Sequence, residues 1–402
     1  MLDFIFALSM NNVKQKSKIS VINLLSLLPD DELNRIARQT NVNHYVKVLD
    51  GKSIFCLLLY SLVECQRNSL RTMEDIFNSS VFKFLFNLPE EKTVKYNSIS
   101  ERLSVINLEF FRQSYDLIFS IFNQYYSQEE IEKTHLVRVD STMVAEAANK
   151  LKNGLNVGSK TTKKQIKYTV AFDGNFPCVS ELFTDRSNLS EDTTIPKIIY
   201  KYAEKSKSAV FVFDRGVTKR EVYQTLSEKE THFVTRFKAD GRYRVIEKIE
   251  KGTNRKLGTL ELESDLIVQI GIPDKRTFYE NHYRMITAIN PETEVTYQFF
   301  TNIFDLDAEE ILQYYKKRWD IEVFFRFLKQ ELNFSHITST SENGMQVMLY
   351  MTMITSMLVL LYKRINKVGY KTAVRRIAIE LNELIIKLVV KQCGGDPSLV
   401  FR

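Results

Sequence analysis

Residues 209–213 read AVFVF, five apolar residues in succession, and Asp214 stands directly behind them. A run this short is a strand, and its unbroken apolarity means that both of its faces are covered. Such a strand needs neighbours in a sheet and helices above and below. The flanking segments supply them, with helical spacing of apolar residues over 193–205 and 218–226 and a further strand pattern over 231–237. Upstream, 136–140, 166–173 and 178–184 have strand patterns, a lysine-rich loop follows the first, and Asp173-Gly174-Asn175 makes a hairpin turn between the last two. The order from 136 to 237 is three antiparallel strands, helix, strand, helix, strand.

The rest of the chain differs on either side. Residues 1–130 form a helical N-terminal domain, with amphipathic stretches at 21–37, 53–65, 72–86 and 99–126, and with helix starts at Pro29-Asp30-Asp31 and Pro89-Glu90-Glu91. Residues 131–237 hold the sheet just described. Turn signals then separate alternating segments at 243–249, 259–270, 282–289 and 295–301, which makes 238–304 a β-rich insertion. From 305 to 402 the helical pattern resumes. Asp307 before Ala308-Glu309-Glu310 is an N-cap with acids in the first turn, and the helix it opens reaches Leu332. Residues 347–362, VMLYMTMITSMLVLLY, fall short of the ~20 residues that span a bilayer. They predict a helix buried on all sides within a soluble domain, without stable membrane association.

Composition narrows the function classes. At 44% hydrophobic and 12% aromatic residues the chain is globular, and large-scale disorder is excluded. The formal charge of +7 is unevenly spread, since residues 1–135 carry fifteen basic against sixteen acidic side chains. Lys150, Lys152, Lys160, Lys163, Lys164 and Lys167 form one basic run, and Lys363, Arg364, Lys367, Lys371, Arg375 and Arg376 another. Such runs suit a polyanion such as DNA, and they equally suit a solvated face. Cys56, Cys65, Cys178 and Cys393 lack the spacing of a zinc site or a disulfide framework, so buried free thiols in a reducing cytoplasm are expected. The apolar start, residues 1–10, contains Asp3, lacks a basic leader and meets no cleavage site, so a cytoplasmic protein is expected.

Chemistry enters with Tyr315, Arg318, Glu322 and Lys329, spaced Y-x2-R-x3-E-x6-K. At 100° per residue all four fall within roughly 40° of Glu322 on a single helix. Ile321, Phe324, Phe327 and Leu328 lie on the opposite, buried arc. A carboxylate can hold a hard cation while Arg and Lys neutralise phosphate oxygens. A solvated face with an Arg318–Glu322 pair has the same make-up, and the stripe alone does not decide. Asp140 closes the first strand and Asp214 the apolar one, where either can also be a cap, Asp214 for the helix at Thr218. Asp173 is explained by its hairpin turn, and Asp185 and Asp192 by a polar loop. Without the insertion, the element order is that of a ribonuclease-H-like α/β core, which places acids on the first strand, the fourth strand and a later helix. Three carboxylates can hold two divalent ions about 3.5–4 Å apart for in-line phosphoryl transfer, and Mg²⁺ suits an all-oxygen set.

In these residues the chain resembles bacterial insertion-sequence transposases of the DDE class, in the branch known by its Tyr-Arg-Glu-Lys signature, the insertion-sequence-four family. The resemblance covers 136 to about 362, through Val139-Asp140-Ser141-Thr142, Asp214-Arg215-Gly216 and the full Tyr315, Arg318, Glu322, Lys329 spacing. It implies a cut-and-paste transposase with Asp140, Asp214 and Glu322 catalytic and holding two Mg²⁺ ions, for which Mn²⁺ can substitute. It also implies a homodimer that binds terminal inverted repeats and target DNA. Tyr315, Arg318, Arg326, Lys329, Lys163 and Lys164 are the expected DNA contacts, and the helix beginning near Asn97–Leu103 is a candidate for repeat recognition. The alternative is an inactive DNA-binding relative that acts as a repressor. Val217 stands where relatives often carry an aromatic residue. The only tryptophan is Trp319, so Tyr297, Phe299 or Phe300 is left to stack on a displaced base.

Overall fold

The computed structural model describes all of the chain except residues 1–17, 29, 65–67, 126–134, 148–154, 158–159, 205–207, 239–240, 250–254, 272–277, 335–337 and 400–402. The side chains of 145–147, 155–157 and 160–164 also lie outside the described set. Two compact units divide the chain. One takes residues 1–127, 144–165 and 326–402, the other 128–143 and 166–325.

The second unit is built on a mixed sheet. Its strands are β1 (Leu136–Ala147), β3 (Lys160–Phe172), β4 (Pro177–Phe183), β5 (Val210–Val212), β6 (His232–Arg236), β7 (Tyr243–Lys248), β8 (Arg255–Leu257), β9 (Leu260–Ile270), β10 (Tyr283–Ile289) and β11 (Thr296–Thr301). A short strand β2 (Leu155–Val157) pairs with the start of β3, in residues counted with the first unit. The order is β4-β3-β1-β5-β6-β11-β10-β9-β7, with β8 on β9. At its centre β1, β5 and β6 are parallel, joined in register through Val137↔Phe211 and Phe211↔Phe233.

Alternation along these strands sends neighbours to opposite faces. Val137, Val139, Phe211, Phe213 and Phe233 bury one face under Ile195, Ile198 and Ile199 of helix Glu191–Ala203 and under Tyr223 and Leu226 of helix Arg220–Glu228. Leu136, Val212 and Val234 bury the other under Ala308, Ile311 and Leu312 of helix Ala308–Lys316. The apolar run is therefore covered on both faces, as its composition requires. The β-rich segment is continuous with this sheet, because β11 runs antiparallel to β6 with Phe300 opposite Thr235.

Several boundaries differ from the sequence expectation. β1 runs on to Ala147, so Asp140 sits within a strand and does not close it. Residues 160–165 belong to β3, where a loop was expected. β8 is three residues long, too short to register as an alternating pattern.

In the first unit, helix Glu342–Ile365 packs against helices Leu108–Asn123, Gly51–Glu64, Tyr96–Val105 and Tyr370–Gln392. By length and composition it could cross a membrane, yet its most apolar 18-residue window is 83% buried within the protein. Two expected helices are pairs here, with Leu70–Asn78 before Ser80–Phe86 and Tyr96–Val105 before Leu108–Asn123, while the expected start at Asp30-Asp31 opens helix Asp30–Gln39 after Val21–Leu25. Short polar side chains make both breaks. Ser79 Oγ accepts from Phe82 N at 3.2 Å, and Asn107 Oδ1 from Glu109 N at 3.0 Å. No helix starts at Pro89-Glu90-Glu91. The segment is a turn held by Lys92 N to Pro89 O, and the buried Lys83 Nζ takes the Glu90 carbonyl at 2.5 Å. Among the described cysteines Cys56 and Cys178 are buried free thiols, whereas Cys393 is exposed, past the end of the last long helix. Cys65 lies outside the described residues.

Candidate active site

The last paired residues of β1 and β5 are Arg138 and Val212, opposite each other. Asp140 and Asp214 each follow two positions later, Asp140 within β1 and Asp214 just past the end of β5, the two parallel strands being spaced about 4.8 Å apart. Strand register thus brings the two acids together. Asp214 is not the cap of the following helix. The loop before that helix is held by Asp192, whose Oδ1 accepts from Thr218 N at 2.5 Å and Lys219 N at 2.8 Å, with Oδ2 accepting from Thr218 Oγ1 at 3.1 Å. These bonds hold the Asp192 carboxyl below the ordinary range even though burial opposes them. Asp192 belongs to the start of helix Glu191–Ala203, where a polar loop was expected.

The stripe does not ride on one helix. Helix Ala308–Lys316 opens at Asp307 with a complete capping box involving Glu310, and helix Trp319–Glu331 follows after a break at Lys317 and Arg318. Three-residue bonds replace four-residue ones there, from Arg318 N to Tyr315 O, Asp320 N to Lys317 O and Ile321 N to Arg318 O. The cause lies far away in sequence. Arg138, on β1 and 5% exposed, donates from Nε to Lys317 O at 3.1 Å and from Nη2 to Asp320 Oδ2 at 2.9 Å. Its Nη1 also takes Leu136 O at 2.7 Å and Asp173 O at 2.9 Å. One guanidinium therefore joins the strand, the hairpin turn and the broken helix.

Despite the break, the polar residues converge on the two aspartates. Tyr315 donates to Asp214 Oδ1 at 3.1 Å. Burial, with the charge of Asp214, pushes the phenol up to about 12, so it stays protonated as a donor. Arg318 lies between two acids, with Nη2 at 2.7 Å from Glu322 Oε1 and Nη1 at 3.7 Å from Asp140 Oδ2. Its Nε is buried with no partner among the described residues. Asp140 is pushed up to about 7, chiefly by burial and then by neighbouring acids, against a bond from Ser141 N at 2.7 Å and the charge of Arg318. Ile321, Phe324, Phe327 and Leu328 are all buried, as the helical arc requires.

The remaining sequence candidates are placed differently. Arg326 is exposed and Lys329 half-buried, and both are counted with the first unit. Lys163 and Lys164 lie on β3 with side chains outside the described residues. Phe299 and Phe300 are buried, which leaves Tyr297 half-exposed under Arg236, whose Cζ is 4.9 Å from the ring centroid. Trp319 is exposed at the helix break.

The donor set around Asp140 is oxygen only, which fits a hard divalent cation. Among the described residues no three His, Cys, Asp or Glu side chains are gathered at metal-holding distance, since Glu322 is turned to Arg318. Sequence reasoning missed Arg138 and Glu191 here and set Asp192 aside as a loop residue. A signal for the last two was present in Ser190-Glu191-Asp192, where Ser190 Oγ accepts from Asp192 N as an N-cap. Arg138 left none, since a lone arginine in a strand pattern reads as outward-facing.

A family model described as Transposase DDE domain matches residues 133–358, more than half of the chain. The chain belongs to this DDE transposase family. Among its curated relatives, the probable transposase for insertion sequence element IS5377 of Geobacillus stearothermophilus is 25% identical over 334 residues, 83% of this chain and 81% of that protein. A putative transposase for insertion sequence element IS4SA of Synechocystis sp. is 24% identical over 310 residues, covering 75% and 79%. In fold, the chain is similar to piggyBac transposase in a cryo-EM synaptic complex with hairpin DNA. The TM-score is 0.50 at 14% identity, covering 93% of this chain and 82% of that one. The transposase fold is thus mixed α/β and ribonuclease-H-like, and its family's DDE domains generally use divalent metal ions.

Proposed function

We propose that this transposase mobilises an insertion sequence of the Tyr-Arg-Glu-Lys branch. It binds the terminal inverted repeats as a homodimer, cleaves the DNA at their ends and joins the freed ends to target DNA. The observation that carries this is the register of β1 and β5, which sets Asp140 beside Asp214, with Tyr315 and Arg318 reaching both from the broken helix that holds Glu322. Asp140, Asp214 and Glu322 are the residues that hold two Mg²⁺ ions. Bound Mg²⁺ supplies a stronger nucleophile at neutral pH and charge stabilisation at the leaving oxygen.

The chain's own side chains do the rest. Tyr315 fixes the rotamer of Asp214 through its hydroxyl and keeps one carboxylate oxygen aimed. Arg318 has a buried, unpartnered Nε and a weak hold on Asp140, so a nonbridging phosphate oxygen is its natural acceptor. Release of Glu322 by Arg318 and capture of phosphate are the same movement of one guanidinium. Lys329 and Arg326 add positive charge along the backbone of the DNA end. The test is cleavage of a labelled repeat end by Asp140→Asn, Asp214→Asn and Glu322→Gln. Each is expected to bind the end and leave it uncut, and cleavage at the wild-type rate in any one removes that residue from the site.

A further inference from the structure

Glu191 is the first residue of helix Glu191–Ala203, and its side chain reaches over the loop behind Asp214. A β-carbon built on Gly216 would lie 1.8 Å from Glu191 Oε2 and 2.7 Å from its Cδ. The backbone of Gly216 is outside the left-handed region, so its conformation does not call for glycine. What the bare α-carbon makes room for is this carboxylate. Asp192 ties the same helix start to the same loop through Thr218 N and Lys219 N, which fixes the approach of Glu191.

The carboxylate itself is left unused. Among the described residues it makes no hydrogen bond or ion pair, although it is half-buried and its charge acts on Asp140. Lys167, 1% exposed, donates from Nζ to Leu189 O at 2.8 Å, and its charge acts on Glu191. A carboxylate packed against a glycine, backed by a buried cation and beside two other acids is costly unless a ligand uses it.

We propose that Glu191 is a fourth carboxylate of the catalytic centre, facing the same divalent ions as Asp140 and Asp214, and that Gly216 is glycine in order to admit it. The inference rests on the metal-dependent reading above. Its test is Mn²⁺ binding to the full-length protein without DNA, read by calorimetry and by the Mn²⁺-induced rise in Tm, next to the Mn²⁺ dependence of end cleavage. Glu191→Gln keeps the shape of the side chain and is expected to lower Mn²⁺ affinity about tenfold, with Glu191→Asp recovering part. Gly216→Ala displaces only the far end of a flexible side chain, so it is expected to give the same loss while the acid stays in the sequence. Should Glu191→Gln fail to fold, Gly216→Ala carries the test alone.

Wild-type Mn²⁺ affinity in both variants, with affinity lost in Asp140→Asn, overturns the role of Glu191 and leaves the site standing. Wild-type affinity and cleavage in Asp140→Asn overturn the site itself. Loss of affinity in Glu191→Gln with none in Gly216→Ala overturns the account of the glycine.

Discussion

Two arginines in the sheet unit each face carboxylates away from solvent, and they are not alike. Arg284 on β10 and Asp265 on β9 are 4% and 1% exposed in their side chains, joined by bonds of 2.9 and 2.7 Å, and Arg284 also donates to the Leu306 carbonyl. Arg318 is nearly as buried at 12%, yet it makes one short bond to Glu322, stands 3.7 Å from Asp140 and leaves Nε unpaired. The first pair is closed and holds the insertion strands together. The second is open, with donors and acceptors left over on both sides. Buried charge that is saturated belongs to the fold, and buried charge left incomplete marks where a ligand completes it.

The comparison can be broken most directly by removing the open site's acids. Asp140→Asn, Asp214→Asn or Glu322→Gln is expected to lower end cleavage by on the order of 10³ or more, with repeat binding kept in a gel-shift assay. Next in size is Arg284→Met, which strands a buried carboxylate and is expected to cost about 3–5 kcal/mol in urea unfolding. Divalent ions will not restore that loss. A smaller effect sharpens the open side: Mg²⁺ at about 100 times its Kd is expected to stabilise the wild type by about 2.7 kcal/mol, and not the Asp140→Asn/Asp214→Asn protein.

Metal-free stability should also depend on pH through Asp140. Its carboxyl is raised to about 7 in the folded chain and ionises near its ordinary value when unfolded. The stabilisation is complete below about pH 4 and is lost as pH rises through about 7. Asp140→Asn is therefore expected to gain on the order of 2 kcal/mol over wild type between these limits and then level off. A gain that is already present at pH 3 would count against burial as the cause. The smallest expected effect is on salt dependence, where Arg318→Ala and Lys329→Ala each reduce the slope of binding against salt by about one unit.

Much of the sheet was legible because AVFVF admits few alternatives and each following segment repeats a known period. Tyr243–Lys248, Leu260–Ile270, Tyr283–Ile289 and Thr296–Thr301 could be read from alternation and turns. The helix breaks at Ser79 and Asn107 were hidden, since a single capping side chain leaves the apolar period intact on both sides. The break at Lys317 was hidden for another reason. It is imposed by Arg138, and no local pattern reports a bond from 179 positions away. Asp140 and Asp214 could be proposed from position alone, whereas their closeness is a matter of register, which the sequence of either strand does not contain. Glu191 escaped because its significance lies in the glycine it touches.

Arg138 also orders events in time. The chain is made from its N-terminus, so β1, the hairpin turn and both aspartates exist while residues 317–320 are still to come. Until those residues arrive, the guanidinium lacks two of its four acceptors, 179 and 182 positions downstream, and nothing bends the helix that aims Glu322. A half-made chain thus carries two acids with no third to complete them, and the proposed nuclease is armed only when these two bonds close.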